Sequence, residues 1–126
     1  MTTTRRIKIY FDGGCRPNPG KMETAVVTGG AAVVVRDAGI GSSQDAEWLA
    51  LIAALRLAQD MGLAHYILLG DAAAVIEQAN GVVRARGEAV EHLAAFRALA
   101  GDGPVPAVRH IKRTQNLAGI ALARGR

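Results

Sequence analysis

A single cysteine, Cys15, stands in a chain of 126 residues. One thiol excludes an internal disulfide and fits a reducing compartment. Aromatic residues are scarce at 4%, although hydrophobic residues make up 50% of the chain. The core must therefore be built from Ala, Val, Leu and Ile, a composition that suits helices packed closely on a sheet and argues against disorder. No run approaches the roughly 20 apolar residues that a membrane span needs, and the opening "MTTTRR" holds no apolar stretch of signal-peptide length. Internal repeats and low-complexity linkers are also missing. These absences predict a soluble, cytoplasmic protein without a membrane partner, and the length predicts one domain over residues 1–126.

Positive charge is present in excess, with 15 Lys and Arg against 11 Asp and Glu for a net +4. The basic residues gather at Arg5, Arg6 and Lys8, at Arg16 and Lys21, at Arg84 and Arg86, and at Arg109, Lys112 and Arg113. Such clusters serve solubility, or they meet a polyanion, most simply nucleic acid.

The apolar pattern predicts a strand over 6–11, then strands over 24–29 and 31–36 joined by a hairpin turn at Gly29 and Gly30. "GIGSSQ" is a loop whose serines can cap an amphipathic helix over 45–61, closed by Gly62. "HYILLGD" reads as a fourth strand ending at Asp71, and "AAAVIEQANG" as a short helix stopped by Gly81. A helix over 87–100, a fifth strand "AVRHIK" and a final helix "QNLAGIALAR" complete the order β-β-β-α-β-α-α-β-α. That order implies an α/β fold: a five-stranded mixed sheet, three antiparallel strands followed by αβ crossovers, flanked by helices. Ligands of such sheets gather at the carboxyl ends of the strands.

Three acids fall at that edge. Asp12 follows the first strand, Asp71 ends the fourth, and Glu47 lies in the first turn of the long helix. Asp71 can equally cap the short helix, and Glu47 can serve the helix dipole. Asp12 leads from an apolar strand into a Gly-rich loop and needs a partner. Converging carboxylates repel unless a cation sits between them, and hard oxygen ligands suit magnesium or manganese.

Around these residues the sequence resembles the type 1 ribonucleases H over nearly its whole length. "FDGGCRPNPG" is similar to that family's first strand and loop, and "SSQDAEWLALIAAL" to its T-N-N-x-A-E helix. "LLGDAAAVIEQANG" is similar to its S-D-S segment and "RTQNLAGIALA" to its R-x-x-N-x-x-A-D-x-L-A ending. The resemblance implies a ribonuclease H-like fold and a metal-dependent endonuclease that cuts the RNA strand of RNA–DNA hybrids, with two Mg2+ (or Mn2+) ions per site. It implies that Asp12, Glu47 and Asp71 bind metal. It also implies that Gly13, Gly14, Cys15, Asn18 and Gln44 line the minor groove and read ribose hydroxyls. Arg113 matches the arginine of R-x-x-N and is expected to meet phosphate. No obligate protein partner is implied.

The sequence departs from that pattern at Ile120, which stands where the family has its fourth aspartate. Asn116 lies four residues earlier on the same helix face. It either replaces the missing acid as a catalytic metal ligand or caps the last helix. His110, six residues before Asn116, is read as a strand residue rather than the loop histidine of some family members, and His65 and His92 as surface or helix-edge residues. The basic helix of longer bacterial forms is absent, which leaves Arg84, Arg86, Lys112 and Arg113 to grip the hybrid. An inactive hybrid-binding module is the competing reading. A dinucleotide enzyme is disfavoured because "GGCRPNPG" lacks G-x-G-x-x-G spacing.

Overall fold

Ile9 and Phe11 alternate with Tyr10 along the first strand, so the two faces of the sheet receive different side chains from one short segment. In the computed structural model, which describes residues 5–124, this strand is β1 (Ile7–Cys15). It pairs antiparallel with β2 (Gly20–Thr28), which pairs in turn with β3 (Ala31–Val35). The turn between β2 and β3 places Gly29 at φ 57° and Gly30 at φ 81°. These left-handed values suit the twist of a two-residue hairpin and favour glycine. A two-residue strand, β4 (Ile40–Gly41), adds to the start of β2.

Helix α1 (Ser43–Asp60) starts at a capping box. The Ser42 hydroxyl accepts from the Asp45 N–H, and the Asp45 carboxylate accepts from the Ser42 N–H. The chain returns through β5 (Tyr66–Gly70), parallel to β1, then α2 (Ala73–Ala79), α3 (Ala89–Ala100) and β6 (Ala107–His110), parallel to β5. A 3-10 turn, Arg113–Gln115, leads into α4 (Leu117–Ala123). The main sheet runs β3-β2-β1-β5-β6, with β4 beside β2. On one face Ile9, Phe11, Val26, Leu68 and Val108 pack against Trp48, Leu51 and Leu55 of α1 and Phe96 of α3. On the other, Ala25 and Val27 pack against Ala118 and Leu122 of α4.

The expected order of elements holds, with β4 added; a two-residue strand leaves no periodicity to detect. Strand one is longer than its apolar run. It continues through Gly13 and Gly14 to Cys15 because β2 begins at Gly20 and pairs all the way back, Cys15 against Met22. Asp12 therefore lies inside a strand, paired with Ala25, rather than at its end. The last strand stops at His110, short of the expected Lys112. The first four residues, part of the "MTTTRR" start, and the last two lie outside the described residues. Among the described residues, no helix is long and apolar enough to cross a membrane.

Gly13 is where sheet and helix touch. A Cβ added there would lie 2.2 Å from the Ala46 carbonyl oxygen, a backbone atom that cannot turn aside. Gly13→Ala is expected to destabilise the chain by about 3 kcal/mol, the upper end of what overpacking typically costs, because the obstructing atom is backbone. Urea unfolding measures this loss, and Gly103→Ala, whose added Cβ would meet nothing within 4 Å, should cost much less.

Candidate active site

Because β1 and β5 run parallel with Tyr10 opposite Leu69, the chains emerge together, and two residues further on come Asp12 and Asp71. Helix α1 crosses this edge at the Gly13 contact. The Gly13 N–H donates to Glu47 Oε1, so the helix is anchored to the strand next to Asp12. One carboxylate oxygen from each of Asp12, Glu47 and Asp71 lies within 4.8 Å of the others.

Burial and crowding change how these acids ionise. Burial, then the nearby charge of Asp71, push the Asp12 carboxyl up to about 6. Burial, then Asp12, push Glu47 up to about 9. A cluster of hard oxygen donors that resists losing its protons fits a divalent cation such as Mg2+ or Mn2+, which would supply the missing countercharge. A positive side chain beside it is that of Arg113, whose Nε lies 3.5 Å from Asp71 Oδ2 while the side chain is 92% exposed.

Asn116 is fully buried and joins three parts of this site. Its amide nitrogen donates to Asp71 Oδ1 at 2.6 Å and to the Phe11 carbonyl at 3.0 Å, and its oxygen accepts from the Ala118 N–H. The amide can face only this way, since the flipped form would set an oxygen against two acceptors. The expectation that Asn116 offers its oxygen to a metal is corrected on this geometry, because that oxygen caps α4. Asp71 does not cap α2 either: Ala72 holds the N-cap position, without a side-chain hydrogen bond.

The acids open into a cleft of about 820 Å³, which Gly13, Gly14, Cys15, Gln44 and Arg113 also line. Asn18 ties the loop to the helix, its side-chain oxygen accepting from the Ser43 N–H at 3.1 Å and from the Cys15 thiol at 3.5 Å. Ile120 lines the same cleft and is 44% exposed, an apolar side chain at the rim of a carboxylate cluster. His110 closes β6 opposite Gly70 and is not among the cleft residues.

Sequence reasoning missed two links. The double donation by Asn116 left only the signal of a capping asparagine. His92, read as a surface or helix-edge residue, also meets Asp45 Oδ1 at 2.9 Å through Nε2 and stacks on Trp48. Burial alone would raise Asp45, but hydrogen bonds from Ser42 and His92 outweigh it and hold the carboxyl at about 2.

Among known proteins, a family described as reverse transcriptase-like matches residues 12–125. The structure of RNase H1 from the halophilic archaeon Halobacterium salinarum NRC-1 superposes with a TM-score of 0.83 at 30% identity, covering 94% of each chain. The chain belongs to the type 1 ribonuclease H family. Another member, LC11-RNase H1 in complex with an RNA/DNA hybrid, superposes with a TM-score of 0.82 at 27% identity over 93% of each chain. Ribonuclease HI of Halobacterium salinarum is 37% identical over 81 residues, a match spanning 60% of this chain and 41% of that relative's length. The family fold, a mixed sheet flanked by helices, is the one expected from the order of elements.

A raised carboxyl value has a definite consequence for stability. The folded state holds these protons more tightly than the unfolded chain, whose carboxyls titrate near 3.8 and 4.5. The resulting stabilisation is full below that range and is lost as pH rises through about 6 and about 9. In EDTA the Tm should therefore fall as pH is raised from about 5 to about 9. Glu47→Gln should flatten that fall, and excess Mg2+ should reverse it most strongly at the alkaline end. A Tm that does not respond to either would contradict the electrostatic account.

Proposed function

We propose that this chain is a divalent-metal-dependent endonuclease that hydrolyses the RNA strand of RNA–DNA hybrids. The observation that carries the reading is the convergence of Asp12, Glu47 and Asp71 just past the last paired residues of the parallel strands β1 and β5. The hybrid-bound relative supports the choice of substrate. In this reading residues 1–126 form one ribonuclease H domain, and the lone free thiol of Cys15 suits the cytoplasm.

Asp12, Glu47 and Asp71 would hold Mg2+ or Mn2+. Two such ions, when bound, supply activation of a water and stabilisation of the leaving oxygen in phosphodiester hydrolysis. The chain's own residues position the reactants. Asn116 is assigned as an orienting residue, since its amide fixes one oxygen of Asp71 and leaves the other toward the cleft. Arg113, exposed and beside Asp71, is assigned to a substrate phosphate. The backbone at Gly13 and Gly14, with Cys15, Asn18 and Gln44, would follow the minor groove and its 2′-hydroxyls. Because the Asn18 oxygen is engaged with Ser43 and Cys15, Asn18 would meet a ribose through its N–H groups.

A second reading is favoured by one observation. Ile120 puts a methyl-bearing side chain into the cleft where a further oxygen ligand would help hold an ion. A chain so impaired would bind hybrid without cutting it.

Cleavage of a labelled RNA–DNA hybrid, beside the same labelled strand in duplex RNA, separates the two. The endonuclease reading expects metal-dependent cuts in the hybrid alone, leaving 5′-phosphate ends, and none with Asp12→Asn. Binding of hybrid without cleavage by wild type would establish the second reading instead. Asn116→Ala should lower kcat by roughly ten- to hundred-fold through misplacement of Asp71, with KM changed little.

A further inference from the structure

The opening turns of α1 carry two residues of the proposed site, Gln44 and Glu47, and they are held from two directions. From the β1 side, Asn18 accepts from the Ser43 N–H and Gly13 donates to Glu47. From the other side the contact comes from α3. His92 Nε2 lies 2.9 Å from Asp45 Oδ1, while Asp45 Oδ2 takes both the N–H and the hydroxyl of Ser42, at 3.0 and 2.9 Å. The two oxygens of Asp45 thus act separately, one closing the capping box and the other reaching across to α3.

His92 is itself fixed. Its ring lies nearly parallel to that of Trp48, with centroids 6.1 Å apart and planes 14° apart. Trp48 is completely buried and meets Phe96 of α3 edge-on. A stacked ring on a buried indole has little rotational freedom, so the Nε2 atom is presented to Asp45 from a rigid base. The start of α3 also follows directly on the loop that bears Arg84 and Arg86.

We propose that His92 is a positioning residue for the substrate edge of the cleft, holding Asp45 from α3 and thereby fixing the turn that presents Gln44 and Glu47. This inference rests on the ribonuclease H reading above. Its effect falls on hybrid binding, because the turn borders the minor-groove side of the cleft, whereas Asp12 and Asp71 are placed by the sheet.

The test measures hybrid dissociation constants in an Asp12→Asn background, where binding is read without cleavage, at a temperature well below every variant's Tm. His92→Ala is expected to weaken binding by about five- to ten-fold, the effect of losing one charge-assisted, pre-organising contact. His92→Gln, whose amide can still donate to Asp45, should recover most of that affinity. Combining His92→Ala with Asp45→Asn should add little to either alone, as for residues acting through one contact. Amide exchange at Asp45 and Ala46 should quicken in His92→Ala and not in His92→Gln. A lowered Tm with unchanged hybrid affinity would make His92 a packing residue and overturn the proposal. Equal weakening by Ala and Gln would overturn it as well. If the Asp12→Asn protein itself failed to bind hybrid, the functional reading would fail, and this inference with it.

Discussion

Everything at the acidic edge depends on how closely β1 approaches the first turn of α1. The absence of a side chain at Gly13 lets the strand backbone lie against the Ala46–Glu47 peptide, and the Gly13 N–H closes the contact on the Glu47 carboxylate. A methyl group at this point would meet the Ala46 carbonyl and the Glu47 N–H and force strand and helix apart next to Asp12. Gly13 of "FDGG" is therefore a spacing device within a strand, and its flexibility is incidental. The same close approach leaves the acids half-shielded from water, which is why they repel one another strongly.

That repulsion sets stability against function. Neutral carboxyls would make the metal-free fold more stable, yet three ionised ones are needed to hold a hard cation. The surroundings soften the conflict without removing it. Asn116 donates to Asp71, Gly13 donates to Glu47, and the Arg113 guanidinium stands outside Asp71. The Gly13 N–H favours charge on Glu47 and the Arg113 guanidinium favours it on Asp12, but burial outweighs them. A site left in this tension is poised to take up a cation, since the ion relieves several unfavourable terms at once.

Much of this was readable in the residues alone. The strand and helix order followed from apolar periodicity, and the three acids stood out because Asp12 and Asp71 end apolar runs and Glu47 lies near the start of the long helix, all at one edge of the sheet. What the sequence concealed were features whose cause lies far along the chain. β1 runs past its apolar residues because β2 pairs with it, and glycines carry no strand signature of their own. Asn116 read as a cap or a ligand, because nothing local reveals that its amide would meet Phe11 and Asp71, 105 and 45 residues away. His92 read as a helix-edge residue for the same reason, since its partner Asp45 is 47 residues distant. Local pattern discloses elements and unusual residues, whereas hydrogen bonds between distant elements become visible only in three dimensions.

The Asn116 side chain has one more implication, and it concerns the order in which the molecule assembles. Its bonds join the first strand, the turn after the fifth and the start of the last helix. Contacts of such separation close late, after local hairpins and helices have formed. While a nascent chain lacks α4, the Phe11 carbonyl and the Asp71 carboxylate have no amide between them, so the acidic cluster is not yet set. An acidic cluster held by so distant a partner stays incomplete until the segment that carries Asn116 has been made.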